Sequence, residues 1–311
     1  MARPTATPPP AGQSHTVNSP RISAAICTRD RGAAIQRPLQ AIFDGTWQDF
    51  EVVVIDQSED DTTESAIAEW RGDPRLIYVR TQSRGLSRAR NEALALFCGP
   101  LLAWTDDDCE PAPDWLERYI EAGATESDSA IFFGPFLARY QEGDVGMIPA
   151  WAPRRARRVT TRYRQSAMGG CGGNMMMNRM AVESVGRFSD NLGRGTPFSA
   201  AEESDYAYRV TRAGGVIREL DGPKVDHFGL VPSSRIRGTA RRDSRSMGAM
   251  LAWHLRKGDI AALSQLAIVV WKHIRIVAMA VKNRRRPLGI ARVGWVLAGF
   301  ASGMVRGPRS S

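Results

Sequence analysis

A chain of 311 residues, 43% apolar and 24% charged, can bury a full core as one large domain or as one domain with an appendage. Its four cysteines (Cys27, Cys98, Cys109, Cys171) are far apart, with no C-x-x-C pair and no companion histidine cluster. This argues against a zinc site or a disulfide framework and for small thiols in a reducing compartment.

The net charge of +9 is unevenly placed. From Ser233 onward 16 Lys and Arg stand against Asp243 and Asp259 alone, whereas the first 232 residues hold 26 basic and 31 acidic side chains. The basic segment therefore reads as a contact with an anionic surface, phospholipid foremost. No nucleic-acid-binding motif accompanies it, and no nucleic-acid partner is expected.

Residues 1–20 are rich in Pro, Thr, Ala and Ser and lack an apolar core, so a disordered leader rather than a secretory signal is expected there. No uncharged apolar run reaches the roughly 18 residues of a membrane span. Cytoplasmic work follows, with peripheral attachment to the inner face of the cell membrane.

Ile22 to Cys27 reads as a first strand ending at the polar Thr28-Arg29-Asp30-Arg31. A helical pattern with Ile35, Leu39, Ile42 and Phe43 on one face follows, with Pro38 set to kink or restart it. Phe50 to Ile55 is a nearly continuous β-branched strand that stops at Asp56. Leu76 to Val79 is a third strand, and Leu86 to Phe97 a helix carrying Arg88, Arg90 and Asn91. Leu101 to Trp104 is a fourth strand, ending in the consecutive carboxylates Asp106, Asp107 and Asp108.

Strands alternating with helices predict an α/β fold, a mostly parallel Rossmann-like sheet with helices on both faces. In such sheets ligands sit at the carboxyl ends of the strands. Three acids at a strand end repel one another unless a cation joins them, and hard divalent ions suit their oxygens; an acidic turn leading into the helix at Pro113 is the plainer reading. Neither G-x-G-x-x-G nor a P-loop occurs, so a nucleotide's phosphates would need a metal and arginines. A nucleotidyltransferase would want a glycine-rich first loop, and none is present.

In the second half, Ala130 to Phe136 is another apolar run. Ile148 to Arg164, with Trp151, Arg154, Arg155, Arg157, Arg158, Arg162 and Arg164, reads as a long mobile loop that is either solvated or anion-binding. The glycines of Gly169-Gly170-Cys171-Gly172-Gly173 point to backbone brought close to a ligand, or to a flexible turn. Ala200 to Val210 is a helix with an acidic first turn. Dipole complementarity explains those acids, and so does a general base at Glu202 or Glu203; Asp205 and Arg209 fit an i, i+4 ion pair. Gly215 to Leu220 is a last strand, with His227 after it. Beyond Ser233, Ile260 to Val281 and Leu288 to Val305 are mainly apolar helices flanked by basic clusters such as Lys282 to Arg286. They fit either in-plane membrane binding or a helical subdomain packed on the core.

Together these residues resemble glycosyltransferase family 2, nucleotide-sugar transferases of the GT-A fold. The resemblance runs from about Ile22 to about Gly229. Ile22 to Arg31 is similar to the family's first strand and T-x-N-R turn, with Asp30 in place of Asn. Val54 to Thr62 is similar to V-V-D-D-G-S-T-D-D-T, Gly85 to Asn91 to the G-x-x-x-A-R-N helix, Asp106 to Asp108 to D-x-D, and Glu202 to Asp205 to E-D-x-D. The departures are Asp30, Ile55, Gln57 and Glu203.

The resemblance implies inverting transfer of a sugar from a nucleoside-diphosphate-sugar to a glycan or lipid-linked acceptor hydroxyl, as in polysaccharide or glycolipid assembly. It puts Glu203 in the place of the catalytic base, with Glu202 and Asp205 as the other carboxylates of that motif. Thr28, Arg29, Asp30, Asp56, Arg90, Asp106 and Asp107 fall on the donor side. Asp108 and His227 are the expected ligands of Mn2+ or Mg2+, and Gly173, Asn174 and Glu202 the acceptor contacts. The expected organisation is a leader over 1–20, a GT-A catalytic domain over 21–232, and a basic helical extension over 233–311.

Overall fold

The computed structural model describes residues 21–160, 170–282 and 289–307. The leader over 1–20, Arg162, Arg164, Gly169 and the basic cluster over 283–286 lie outside the described residues.

The first half alternates strand and helix: β1 (Ile22–Thr28), α1 (Gln36–Phe43), β2 (Phe50–Asp56), α2 (Thr62–Ala66), β3 (Leu76–Arg80), α3 (Leu86–Leu96) and β4 (Leu101–Asp106). Then come β5 (Cys109–Pro111), α4 (Trp115–Ala124), β6 (Ala130–Phe133), β7 (Phe136–Ala138), β8 (Gly146–Met147) and β9 (Arg157–Val159). They are followed by β10 (Asn174–Asn178), α5 (Arg179–Val185), α6 (Glu202–Arg212), β11 (Val216–Glu219), β12 (Val225–His227) and β13 (Val231–Pro232). Three long helices close the chain: α7 (Ser233–Arg256), α8 (Ala261–Lys282) and α9 (Gly289–Val305). Pro38 sits in the first turn of α1, where a missing N–H costs nothing, and α1 runs on through it.

The main sheet has the order β3-β2-β1-β4-β10-β6-β11-β9. β3, β2, β1 and β4 are parallel to one another, and β10 runs antiparallel between β4 and β6. Side chains of period two divide β1 and β2 between two cores. Ala24, Ile26, Val52 and Val54 pack with Leu39 and Ile42 of α1 and Trp115 and Tyr119 of α4; Ala25, Val53 and Ile55 pack with Ala89 and Ala93 of α3 and Tyr206 and Val210 of α6. Both faces are therefore covered, which is why these strands are apolar throughout. A small sheet, β5-β12-β7, and the pair β13-β8 stand beside the main one.

Two expectations change here. The stretch after Ile148 is not wholly loop: Trp151 bridges Phe136, and β9 forms the sheet edge on β11. The glycine-rich stretch leads straight into β10, a central strand.

The C-terminal helices make a third core, in which Ala249, Met250, Leu251 and Trp253 of α7 meet Ala262, Val269 and Val296. Leu192 and Phe198 from the sheet-bearing region join it. Within α8, Ala261–Ala278 is long and apolar enough to cross a membrane by length and composition, although it carries Lys272 and Arg275. In the fold it lies along α7 and α9 with Ala262, Gln265 and Val269 turned inward.

Candidate active site

Register gathers the polar strand ends. Thr28 pairs with Asp56 and Cys27 with Asp106, so β1, β2 and β4 release their polar residues along one edge. β10 enters at the same edge, with Asn174 opposite Thr105. β12 pairs with β5 so that His227 lies opposite Cys109, next to Asp108.

The three consecutive aspartates have distinct surroundings. Thr28 Oγ1 donates to Asp107 Oδ2 (2.7 Å), and Arg31 donates to Asp107 Oδ1 (3.0 Å) and Asp108 Oδ2 (2.5 Å). Burial pushes Asp107 up to about 7, with Arg31 and Thr28 opposing. Burial also pushes at Asp108, but His227 and Arg31 outweigh it and hold this carboxylate below its ordinary range. Arg31, which carries no mark in the sequence, is the cation paired with two of the three carboxylates.

His227 Nδ1 lies 2.9 Å from the Pro149 carbonyl, and the ring stacks on Phe136. If Nδ1 carries the donated proton, Nε2 is left as an acceptor facing Asp108 Oδ1 at 3.5 Å. Two acceptors face to face call for a proton or a cation between them. Gly229 keeps this space open, since a Cβ there would lie 2.5 Å from both Asp108 Oδ2 and His227 Nε2. Ligand atoms of Asp106, Asp108 and Cys109 also lie within 4.8 Å of one another. The Cys109 thiol is held protonated by burial, so the oxygen and imidazole donors suit Mn2+ or Mg2+ better.

Arg90 ties this cluster to α6. It is buried, 3.2 Å from Glu202 Oε1 and 3.9 Å from Asp106 Oδ1, against the touching rings of Trp104 and Phe188. Gly172 lies against the Arg90 guanidinium, and a Cβ on Gly173 would meet Asp106 Oδ2 at 2.6 Å. The glycine run is thus needed for backbone to approach these two side chains. At the start of α6, burial and then the neighbouring Glu202 raise Glu203 to about 8. Its helix is preceded by Ala201 at φ 72, and Asp30 has φ 54; these are the non-glycine residues with positive φ among the described residues. Both flank the site, where strained backbone tends to be kept.

The remaining sequence candidates fall as follows. Asp56 is fully buried, its oxygens accepting from Ser58 N (2.9 Å) and Tyr78 OH (2.8 Å). Arg29 and Asp30 are exposed and paired at 3.0 Å. Arg88 lies 3.5 Å from Asp190. Asp205 pairs with Arg209 at 2.9 Å and with His254 at 2.7 Å, a buried structural cluster.

Asn174 is corrected. Its Oδ1 accepts from Trp115 Nε1 and Tyr119 OH and its Nδ2 donates to the Pro135 and Pro223 carbonyls, so the side chain has nothing left for an acceptor. Arg157 and Arg158, left open as solvated or anion-binding, are ion-paired within the fold. The first is clamped on Glu219 and the second on Glu126 and Asp128.

Comparison with known proteins bears on this geometry. A sequence model of the family described as Glycosyl transferase family 2 matches residues 23–186. The chain belongs to glycosyltransferase family 2. The succinoglycan biosynthesis protein ExoM of Rhizobium meliloti is 30% identical over 151 residues, 46% of this chain and 44% of ExoM. A glucosyl-dolichyl phosphate glucuronosyltransferase of Haloferax volcanii is 21% identical over 202 residues, 63% of this chain and 64% of that protein. The matched region thus spans less than two thirds of either relative.

Among solved structures, residues 1–349 of Staphylococcus aureus TarS with UDP-GlcNAc superpose at a TM-score of 0.63, with 15% identity, over 91% of this chain and 81% of that one. The mannosyltransferase PcManGT of Pyrobaculum calidifontis, with GDP-Man and Mn2+, gives 0.56 at 19% identity over 93% and 88%. The GT-A fold of this family 2 chain, expected from its motifs, is the one observed.

Proposed function

We propose that this family 2 chain is an inverting, divalent-metal-dependent glycosyltransferase that moves a sugar from a nucleoside-diphosphate-sugar to an acceptor hydroxyl. The observation that carries the reading is one sheet edge where Arg90 links a cation-fitting group (Asp106, Asp108, His227) to Glu202 at the head of α6, beside the half-buried, weakened acid Glu203.

Glu203 accepts the proton of the acceptor hydroxyl while that oxygen attacks the anomeric carbon and the bond to the nucleoside diphosphate breaks. Arg90 holds Glu202 away from the proton transfer and keeps positive charge beside Asp106. A divalent ion held by Asp108 and His227, with Asp106 beside them, would neutralise charge on the departing diphosphate. Thr28 and Arg31 fix Asp107 and Asp108 in place, and Asp56 forms the floor at the base-side strand end. Gly173 gives the acceptor side its room, and Glu202 its second carboxylate.

The acceptor is a glycan or a lipid-linked glycan, and the chain works in the cytoplasm, held on the inner membrane face by its C-terminal helices. ExoM's part in succinoglycan biosynthesis and the glucuronosyltransferase's glucosyl-dolichyl phosphate substrate favour such an acceptor class.

Thermal-shift titration of the full chain with UDP, GDP, TDP and CDP, each with Mn2+ and with EDTA, tests the donor site. One nucleotide should raise the melting temperature with metal alone, since a ligand that binds only the folded form stabilises it by RT ln(1 + [L]/Kd). Asp108→Asn should abolish that shift. A shift that is equal in EDTA, or equal in Asp108→Asn, overturns the metal assignment.

A further inference from the structure

A second concave site lies away from the sheet edge, between α7, α9 and the loop over 191–198. It encloses about 430 Å³, within the range of roughly 300–1,000 Å³ typical of ligand pockets. Arg241, Arg242 and Arg245 project from one face of α7 into it, Arg306 comes from the end of α9, and Phe198 and Trp253 form its wall.

Four guanidinium groups around one hollow repel unless an anion joins them. Among the described residues Arg241, Arg245 and Arg306 have no carboxylate within 4 Å. Arg242 Nε and Nη2 are buried without a hydrogen-bond partner, although Asp243 Oδ1 lies 3.4 Å from Nε. A merely solvated arginine would turn these nitrogens to water; buried donors left open call for an acceptor. The guanidinium fork matches phosphate oxygens.

The wall is apolar. Phe198 meets Trp253 edge-to-face at 5.1 Å, and the indole N–H is already donated to the Arg306 carbonyl. We infer that this pocket binds a phosphate or diphosphate ester, its oxygens on Arg241, Arg242, Arg245 and Arg306 and its organic part against Phe198 and Trp253. The loop over 191–198 turns its other side to the candidate active site, where a Cβ on Gly193 would lie 3.3 Å from Glu202. A ligand anchored in the pocket is therefore one loop away from the carboxylates. That it anchors a lipid-borne acceptor rests on the transferase reading; the phosphate site itself does not.

The test is calorimetric titration of the full chain with inorganic pyrophosphate in EDTA, which keeps the metal-dependent donor site out of the measurement. Loss of two charge-assisted hydrogen bonds should weaken binding at least about tenfold in Arg241→Gln/Arg245→Gln. Arg275→Gln, on the outer side of α8, and Asp108→Asn should bind as the wild type does. A parallel arm measures sedimentation with phosphatidylcholine vesicles with and without phosphatidic acid. Retention by phosphatidic acid in excess of that given by the same charge of phosphatidylglycerol, with the excess lost in the double variant, identifies a lipid-borne phosphate. Pyrophosphate binding without such retention identifies a soluble phosphate ester. Either supports the site. Absence of binding in both arms, undiminished binding by the double variant, or loss in Asp108→Asn instead overturns it. Those outcomes leave the nucleotide panel's result standing, so the two readings fail separately.

Discussion

In the proposed reaction Glu203 is the general base. Burial and the Glu202 charge lift its carboxyl from the usual 4.5 to about 8. Between those values the folded protein keeps a proton that the unfolded chain has released, so this group's contribution to stability falls as pH rises through that window. Activity runs the other way, because a base must be ionised. We predict that kcat/KM rises with unit slope up to about pH 8 and then levels off. Glu202→Gln removes the neighbouring negative charge and leaves Arg90 nearer to Glu203 alone, and both effects move the limb to lower pH. A limb that stays put in Glu202→Gln would assign the titration to another group. Glu203→Gln should cost roughly 10²- to 10⁴-fold in transfer while metal-dependent nucleotide binding persists, the loss expected of a missing general base. Full activity in that variant would move the base elsewhere.

At the scale of elements, β10 depends on Asn174, whose side chain joins α4 to the turns at Pro135 and Pro223. Asn174→Ala strands two buried donors and two buried carbonyls, a destabilisation of about 3 kcal/mol or more at roughly 1 kcal/mol for each lost bond. Denaturant unfolding should read this, whereas Asn174→Ala should not change the pH limb of Glu203 in the folded fraction. A stability unchanged within error would restore Asn174 as an available contact. β1, β2, β3 and β4 were legible because their apolar runs end at turn residues, and the three polar ends were legible because register in a parallel sheet brings such ends to one edge. β10 was not, because its three methionines follow a glycine run whose reason lies in Arg90 and Asp106, residues far off in sequence. Likewise Arg31 and Gly229 carry no local mark. Each acts on Asp108 through a pairing made only in the fold. Arg157 and Arg158 stayed ambiguous, since a run of arginines looks the same whether solvated or clamped on Glu219 and Glu126.

At the scale of the whole molecule, the basic helices are both a packed layer and a surface. His254 meets Asp205 at 2.7 Å, and Asp259 accepts from Tyr208 and Arg212 of α6 at 2.7 Å each, so the last turn of α7 and the connection to α8 hold the helix that bears Glu203. Residues 21–232 alone should therefore unfold at lower denaturant than the full chain, with Leu192 and Phe198 uncovered; equal midpoints would make the extension an independent appendage. The outer side of α8 is a different matter. Leu263, Trp271 and Ile274 are 45%, 57% and 52% exposed on one helical row, with Lys272 and Arg275 beside them, and Ile290, Leu297 and Met304 repeat the pattern on α9. Apolar rows of this kind, flanked by cations, fit a helix lying in an anionic lipid interface, where the basic heads stay at the headgroups. Because these side chains touch water in the folded chain, Leu263→Glu/Trp271→Glu should leave the unfolding midpoint unchanged while removing about 3 kcal/mol of lipid contact, roughly a hundredfold in partition to phosphatidylglycerol vesicles. Partition equal to wild type would mean that the exposed rows are not the membrane face, and would leave the positive charge to act through the arginine pocket alone.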